Sequence, residues 1–238
     1  MLVSDEGFNG LVIKIQNTKY GVVNGKIMAE AGVPLGQLVN VAKNLGLVGM
    51  EWAAGIPGTV GGAVYGNAGA FGKSMKDIAS KVEVYDVKTG KFKIITNKDC
   101  RFSYRESIFK KKKNLIIVSV ILKLKNGKKS EIEGMIKEHV DYKIKTQPLN
   151  YPSAGSVFKN PKNFYASFAY SAARMIEECG LKGKKIGDAK ISEKHANFIV
   201  NLGKANEKDI KKLINFIKKE VKKKFGVVLE EEIQLLER

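Results

Sequence analysis

Gly55-Ile56-Pro57-Gly58-Thr59-Val60-Gly61-Gly62-Ala63-Val64-Tyr65-Gly66-Asn67-Ala68-Gly69-Ala70-Phe71-Gly72 is the most glycine-dense run in the chain. No charged residue occurs from Trp52 to Gly72, a length that could span a bilayer. Seven glycines, Pro57 and Asn67, with no leucine, leave too little apolar side-chain surface for a membrane segment. Glycine at this density suits two other tasks. Successive backbone N–H groups can point at one anionic group with no Cβ in the way. Alternatively, two pieces of backbone can meet at a tight packing corner. The spacing is neither a P-loop nor a GxGxxG turn, and no Lys-Ser/Thr follows. Cradle and corner both stand open at this point.

On the N-terminal side of this run, Leu11–Ile15 and Lys26–Ala31 read as strands. Leu35, Leu38, Val39 and Ala42 have helical spacing, and Gly46 is placed to end that helix as a left-handed cap. On the C-terminal side, Lys81–Asp86 alternates, setting Val82, Val84 and Asp86 on one face. Leu115–Leu124 is a longer strand rich in β-branched residues. The character changes near Asn126. Asn126 to Lys129 make a polar turn, and Ser130 with Glu133 has the pattern of a capping box. The spacing then predicts a helix burying Ile132, Met135, Ile136 and Val140. Ala172, Met175, Ile176 and Cys179 form a second stripe, stopped by Gly180. Ile210, Leu213, Ile214, Ile217 and Val221 form the clearest one, capped by Asn206 and Gly226. Val227–Leu236 reads as a last strand. Strands first and helices with short strands later predict an α+β fold in two parts. One part covers residues 1–125 with the final segment 226–238 returning to it, and the other covers residues 126–225.

The 238 residues, 44% of them apolar, allow one large domain or two small ones. Cys100 and Cys179 cannot build a disulfide framework and belong to no CxxC or histidine cluster. They read as thiols of a reducing cytoplasm, with no metal site expected. No secretory signal pattern follows Met1. The net charge of +18 invites a nucleic-acid reading. That reading wants lysines gathered in a stripe with stacking aromatics between them, and here they are spread along the chain. Lys218, Lys219, Lys222, Lys223 and Lys224 fall on the polar side of a predicted helix, and Lys110 to Lys113 precede a strand. A solvated lysine-rich surface accounts for them, and would also draw a polyanionic small substrate.

Four further stretches accompany the glycine-rich run. They are Cys100-Arg101-Phe102-Ser103-Tyr104-Arg105-Glu106-Ser107-Ile108-Phe109 and Tyr151-Pro152-Ser153-Ala154-Gly155-Ser156-Val157-Phe158-Lys159-Asn160-Pro161. After these come Ile191-Ser192-Glu193-Lys194-His195-Ala196-Asn197-Phe198-Ile199-Val200-Asn201 and Gly226-Val227-Val228-Leu229-Glu230-Glu231-Glu232-Ile233. In content and order all five resemble the UDP-N-acetylenolpyruvoylglucosamine reductases. The short interval between the Arg105 and Ser156 segments resembles the second, shorter type of these enzymes. The resemblance implies a vanillyl-alcohol-oxidase-like FAD-binding domain followed by an α+β substrate-binding domain. It implies FAD and NADPH as cofactors, and a cytoplasmic enzyme with no nucleic-acid or membrane partner.

It also implies a chemistry. Hydride reaches C3 of the enolpyruvyl group of UDP-N-acetylglucosamine enolpyruvate, and a proton reaches C2, giving UDP-N-acetylmuramate for peptidoglycan. The proton donor corresponds to Ser156, whose hydroxyl would otherwise read as a turn group capping nearby backbone. Arg105 corresponds to a guanidinium that can hold the substrate carboxylate through two parallel hydrogen bonds. By itself it would read as a surface ion-pair partner of Glu106. Glu232 corresponds to the third catalytic position, although Glu230 and Glu231 beside it make an ordinary acidic strand equally readable. Glu231 stands where the family usually has proline. The resemblance places flavin contacts at Ile56, Pro57, Gly58, Thr59, Gly61, Gly62, Asn67 and Gly69. It places substrate contacts at Tyr104, Lys159, Asn160 and His195.

Met1 to Phe8 resembles the stretch that follows the family's first glycine-rich turn, of the form GGGSN. The FAD-binding part is therefore expected to be N-terminally incomplete and its hold on the diphosphate weakened. Two rivals remain: a remnant that binds the sugar nucleotide without flavin, and a basic nucleic-acid-binding module on the same scaffold.

Overall fold

The alternation over Lys81–Asp86 is realised as the strand Ala79–Asp86, with Val82, Val84 and Asp86 buried. It lies fourth in a five-stranded antiparallel sheet ordered Tyr20–Val23, Lys26–Glu30, Leu115–Lys123, Ala79–Asp86, Lys91–Thr96. The register sets Ala29, Val120 and Val82 side by side on the inner face. Helices α1 (Leu35–Asn44) and α2 (Val60–Tyr65) bury Leu35, Leu38, Val60 and Val64 in the same core as these sheet residues. Trp52 is fully inside this core, and its Nε1–H donates to the Gly49 carbonyl at 2.9 Å. Gly46, at φ 64, follows α1 as the expected left-handed residue. Two short helices follow, α3 (Met75–Ile78) and α4 (Ile108–Lys111), and then α5 (Lys129–Thr146).

The computed structural model describes residues 1–161 and 171–236. Residues 13–143 form one unit, and residues 1–12 with 144–238 form the other. In the second unit, Ser153–Ser156, Phe198–Asn201, Ala189–Ile191 and Lys185–Ile186 make a four-stranded antiparallel sheet in that order. Helices α6 (Ala172–Glu178) and α7 (Glu207–Phe225) share a core with it, built on Met175, Ile176, Leu213, Ile214, Ile217 and Val221. Asn206 caps α7 by accepting from the Asp209 N–H at 2.8 Å, and Gly226 ends it at φ 69.

Several expectations need correction. Leu11–Ile15 forms no strand; Leu11, Val12 and Ile13 stay exposed, because an apolar run without a ladder partner has nothing to pair with. Ser130 does not cap α5. The helix begins at Lys129, and the Lys128 carbonyl accepts from Glu131 and Ile132. Of its expected face, Ile132 is buried and Met135 exposed. Val227–Leu236 is not one strand: only Leu235–Leu236 pairs, parallel to Leu2–Val3, with an isolated bridge at Glu231. The two units meet inside the last turn of α5, with residues 226–238 in the same unit as residues 144–225. Residues 162–170 of the expected second domain and residues 237–238 of the final segment lie outside the described residues. Among the described residues, no helix is long and apolar enough to cross a membrane.

Candidate active site

The glycine-rich run divides its glycines between the two tasks open at the sequence level. A Cβ on Gly61 would stand 2.7 Å from the Ala31 Cβ, and one on Gly69 2.6 Å from the Lys73 carbonyl oxygen. These two are packing corners. Gly58, at φ 120, leaves open space around the same hypothetical atom, and Pro57, Gly58, Thr59 and Gly62 are exposed. Not every amide here is available to a ligand. Val60 donates to the Val33 carbonyl at 2.9 Å and Gly61 to the Ala31 carbonyl at 2.8 Å. Gly62 reaches the Thr59 hydroxyl at 3.4 Å as part of the α2 cap. The approachable backbone is therefore Pro57–Thr59 with the outer side of Gly62. It borders a cleft of about 240 Å³ lined by Ile15, Thr59, Gly61, Gly62, Tyr65 and Ile117. Ile56 is half-buried against the core.

Asn67 is buried and sits at φ 43. Its Nδ2 donates to the Ser103 carbonyl at 2.8 Å, and its Oδ1 accepts from the Lys76 N–H at 2.9 Å. The side chain expected to contact flavin thus braces protein backbone. Ser103 opens a two-residue turn. Its N–H donates to the Glu106 carbonyl at 3.1 Å and Glu106 returns the bond at 3.0 Å, so Tyr104 and Arg105 form the tip. Arg105 holds φ 56, a conformation that costs a non-glycine residue about 1–3 kcal/mol and persists where surroundings enforce it. Those surroundings are identifiable. Lys110 donates to the Arg105 carbonyl at 2.6 Å, and the Ser107 hydroxyl donates to the Tyr65 carbonyl at 2.6 Å. The guanidinium lies 5.2 Å from the Tyr104 ring centroid.

In the other unit, Ser156 ends the strand Ser153–Ser156 opposite Phe198 and is half-buried. The tail returns alongside the residues that follow it. Lys159 N–H donates to the Glu230 carbonyl at 2.8 Å, and Glu232 N–H donates to the Val157 carbonyl at 2.8 Å. The Glu232 backbone is thereby bonded to the residue next to Ser156. The neighbouring carboxylates have lysine partners: Glu230 with Lys159 at 2.5 Å, and Glu231 with Lys218 at 3.0 Å. Asn197 supplies the bracing here. Buried, it accepts from the Phe158 N–H at 2.9 Å and donates to the Phe158 carbonyl at 2.8 Å.

The remaining expected substrate contacts are partly engaged with the protein itself. Lys159 pairs with Glu230, and Asn160 Oδ1 accepts from the Ala172 N–H at 3.1 Å in the first turn of α6. His195 Nδ1 accepts from the Asn197 N–H at 3.3 Å, and its ring meets Phe198 edge-on. Burial lowers the His195 pKa below its ordinary value, with nearby Lys182 acting in the same direction. Arg105 belongs to one unit, and Ser156 and Glu232 to the other. A larger cleft of about 530 Å³, lined by Ile144, Tyr151, Lys190, Ser192, Lys194 and Val200, contains none of the expected site residues. Ser107, Lys110 and Asn197 were missed as supports. Ser107 and Asn197 stand inside the quoted motifs, which marked them by position without disclosing what they hold.

Two family models match the chain. The one described as UDP-N-acetylenolpyruvoylglucosamine reductase, C-terminal domain, matches residues 147–236, and the one described as FAD binding domain matches residues 1–96. The UDP-N-acetylenolpyruvoylglucosamine reductase of Caldanaerobacter subterraneus subsp. tengcongensis is 45% identical over 237 residues, covering 99% of this chain and 76% of that protein. The reductase of the same name from Thermotoga maritima is 42% identical, covering 99% of this chain and 80% of that protein. The crystal structure of UDP-N-acetylenolpyruvylglucosamine reductase from Thermus caldophilus superposes with a TM-score of 0.76 at 39% identity. That match covers 87% of this chain and 71% of that one.

Proposed function

The chain belongs to the UDP-N-acetylenolpyruvoylglucosamine reductase family, and from that membership we propose that it reduces UDP-N-acetylglucosamine enolpyruvate to UDP-N-acetylmuramate in the cytoplasm, with FAD as cofactor and NADPH as reductant. Residues 13–143 hold the flavin in this reading, and Lys159, Asn160 and His195 of the other unit contact the sugar nucleotide. The observation that carries it is the backbone bond from Glu232 to Val157. It brings the backbone of Glu232 beside Ser156, the two residues to which this reading gives catalytic roles.

The glycine-rich run fits the cofactor in part. Exposed backbone at Pro57–Thr59 and Gly62 can approach a diphosphate, since Gly58 carries no Cβ to obstruct it. Ile56 supports that turn from the core side. Gly61 and Gly69 also pack closely on Ala31 and Lys73, and the Asn67 side chain also braces the Ser103 carbonyl. When bound, FAD supplies the two-electron transfer between NADPH and the enolpyruvyl group.

The chain's own residues do the rest. Arg105, held out on its turn, binds the substrate carboxylate and offsets the charge that builds there as the enolpyruvyl group is reduced. The Ser156 hydroxyl gives its proton to C2, a step open to so weak an acid only because C2 has carbanion character. Glu232 orients the carboxylate end. Tyr104, Lys159, Asn160 and His195 border the sugar nucleotide, with Lys159 carrying Glu230 beside it.

The test is a titration of the purified chain with FAD, followed by quenching of flavin fluorescence. NADPH is then added, and finally the enolpyruvyl sugar nucleotide. The expected sequence is quenching, bleaching of the flavin band, and its return on substrate addition. UDP-sugar binding without FAD binding would replace the reductase with a non-catalytic sugar-nucleotide binder.

A further inference from the structure

Lys143 is the charged residue of α5 that is buried, at 7% exposed, and the proposed chemistry leaves it unused. Its ammonium donates to the Ala54 carbonyl. Its stem lies against Gly55, where a Cβ would stand 3.3 Å from Lys143 Cδ. Nζ is 5.8 Å from the centroid of the Phe71 ring, near the far end of the same glycine-rich run.

One turn earlier on α5, His139 Nδ1 stands 3.1 Å from the Glu51 carbonyl oxygen, an arrangement that places the ring proton on that nitrogen. The His139 ring stacks on Phe71, with centroids 3.8 Å apart and planes 7° apart. Two side chains four residues apart on one helix therefore hold two carbonyls three residues apart, with Phe71 against both. Tyr142 meets the Phe71 edge at 5.7 Å. The Glu51 carboxylate turns to the Gly49 N–H, 3.0 Å from each oxygen.

The segment held this way leads directly into the approachable turn. Gly55 at φ 70 and Gly58 at φ 120 set the direction of the backbone between Ala54 and Thr59. The anchoring of Ala54 therefore fixes where the amides of that turn point. We propose that Lys143 is a positioning residue for the flavin loop: its ammonium anchors the Ala54 carbonyl, fixes the entry to the Ile56–Thr59 turn, and so sets how tightly that turn holds the cofactor's diphosphate. This rests on the reading of the glycine-rich run as the flavin loop.

Burial brings the Lys143 ammonium down to about 8 from its ordinary 10.5. Two effects of opposite sign follow. A lysine whose folded pKa lies below its unfolded one costs stability at neutral pH, and that cost shrinks as pH rises from about 8 towards 10.5. Over the same interval a charge-assisted bond becomes a neutral one, and the grip on Ala54 weakens. The fold firms while the loop loosens.

The experiment is FAD affinity from pH 7 to pH 9.5 for the full chain and for Lys143→Met, by flavin fluorescence quenching. The expected result is a roughly tenfold loss of affinity across pH 8 in the parent. Lys143→Met should already be roughly tenfold weaker at pH 7 and flat with pH. Equal affinity of parent and variant at pH 7, or the same pH slope in both, overturns the proposal. If the parent binds no FAD, the flavin reading itself falls, and amide exchange decides the clamp. Faster exchange over Ile56–Gly62 in Lys143→Met, with strands Ala79–Asp86 and Leu115–Lys123 unchanged, supports it, and unchanged protection overturns it. If Lys143→Met does not fold, the parent's exchange is compared from pH 7 to 9.5 against intrinsic rates. Loosening confined to Ile56–Gly62 above pH 8 supports the clamp, and its absence overturns it.

Discussion

Asn67 Nδ2 donates to the Ser103 carbonyl oxygen at 2.8 Å, and this bond ties the glycine-rich run to the base of the turn that presents Arg105. The same amide accepts from Lys76, so one buried side chain satisfies two backbone groups on different segments. Asn67→Ala leaves both without that partner and puts alanine at φ 43. The expected loss is about 2–4 kcal/mol of stability, measured by urea denaturation. Because the Arg105 turn loses its brace, flavin reoxidation by the enolpyruvyl substrate should slow more than flavin reduction by NADPH. Equal slowing of both half-reactions in stopped-flow absorbance would show that Asn67 serves the fold alone.

Adjacent glycines should behave oppositely. Gly61→Ala drives a methyl to 2.7 Å from the Ala31 Cβ, on backbone held by the Gly61–Ala31 hydrogen bond. It should cost roughly 1–3 kcal/mol. Gly62→Ala meets only Thr59 Oγ1 at 3.7 Å and lies in α2, where alanine is favoured by roughly 0.5–1 kcal/mol. The melting temperature should therefore fall for the first and hold or rise for the second. FAD affinity should fall for Gly62→Ala despite its intact fold. Unchanged affinity would move the diphosphate away from the outer side of α2.

How much of this was legible depended on whether a residue's task was local. The α7 stripe from Leu213 to Val221 and the alternation from Val82 to Asp86 were readable because period and burial coincide within one element. Leu11–Ile15 and Val227–Leu236 have strand composition, but a strand also needs a neighbour, and composition does not name one. The unit boundary falls within α5, where no change of composition marks it. The quoted motifs marked positions such as Asn67 and Asn160 as important without revealing that their amides hold protein backbone. Lys143 gave no signal, since one lysine in a lysine-rich helix looks like its solvated neighbours until the fold buries it.

Asp86 provides a pH test of the sheet. Lys93 donates to one carboxylate oxygen at 2.6 Å and Asn114 to the other at 2.6 Å, holding the group well below the usual carboxylate range. A carboxyl with a depressed folded pKa contributes stability that is fully present above its unfolded pKa of roughly 3.9. That contribution is lost as pH falls through the lower folded value. The gap in melting temperature between parent and Asp86→Asn should therefore be constant from pH 7 to 5 and narrow below about pH 4. A gap that stays constant into acid would mean the carboxylate's charge contributes nothing to the sheet.

Ser156 and Asn197 stand near each other in the fold and should separate chemistry from support. Asn197 satisfies both the N–H and the carbonyl of Phe158, and its own carbonyl accepts from the Val157 N–H at 2.8 Å. Asn197→Ala leaves the two buried Phe158 groups without this partner and should cost about 2–5 kcal/mol, with substrate turnover reduced because the segment after Ser156 loses its anchor. Ser156→Ala removes one half-buried hydroxyl and should leave the melting temperature within a few degrees of the parent, roughly 1 kcal/mol or less. Reduction of bound flavin by NADPH should persist in Ser156→Ala. Reoxidation by the enolpyruvyl sugar nucleotide should nearly stop, because reduction of C3 gains nothing while C2 lacks a proton donor. If reoxidation ran at the parent rate, the proton would come from another group, and Ser156 would be left as the end of a strand whose hydroxyl serves the backbone.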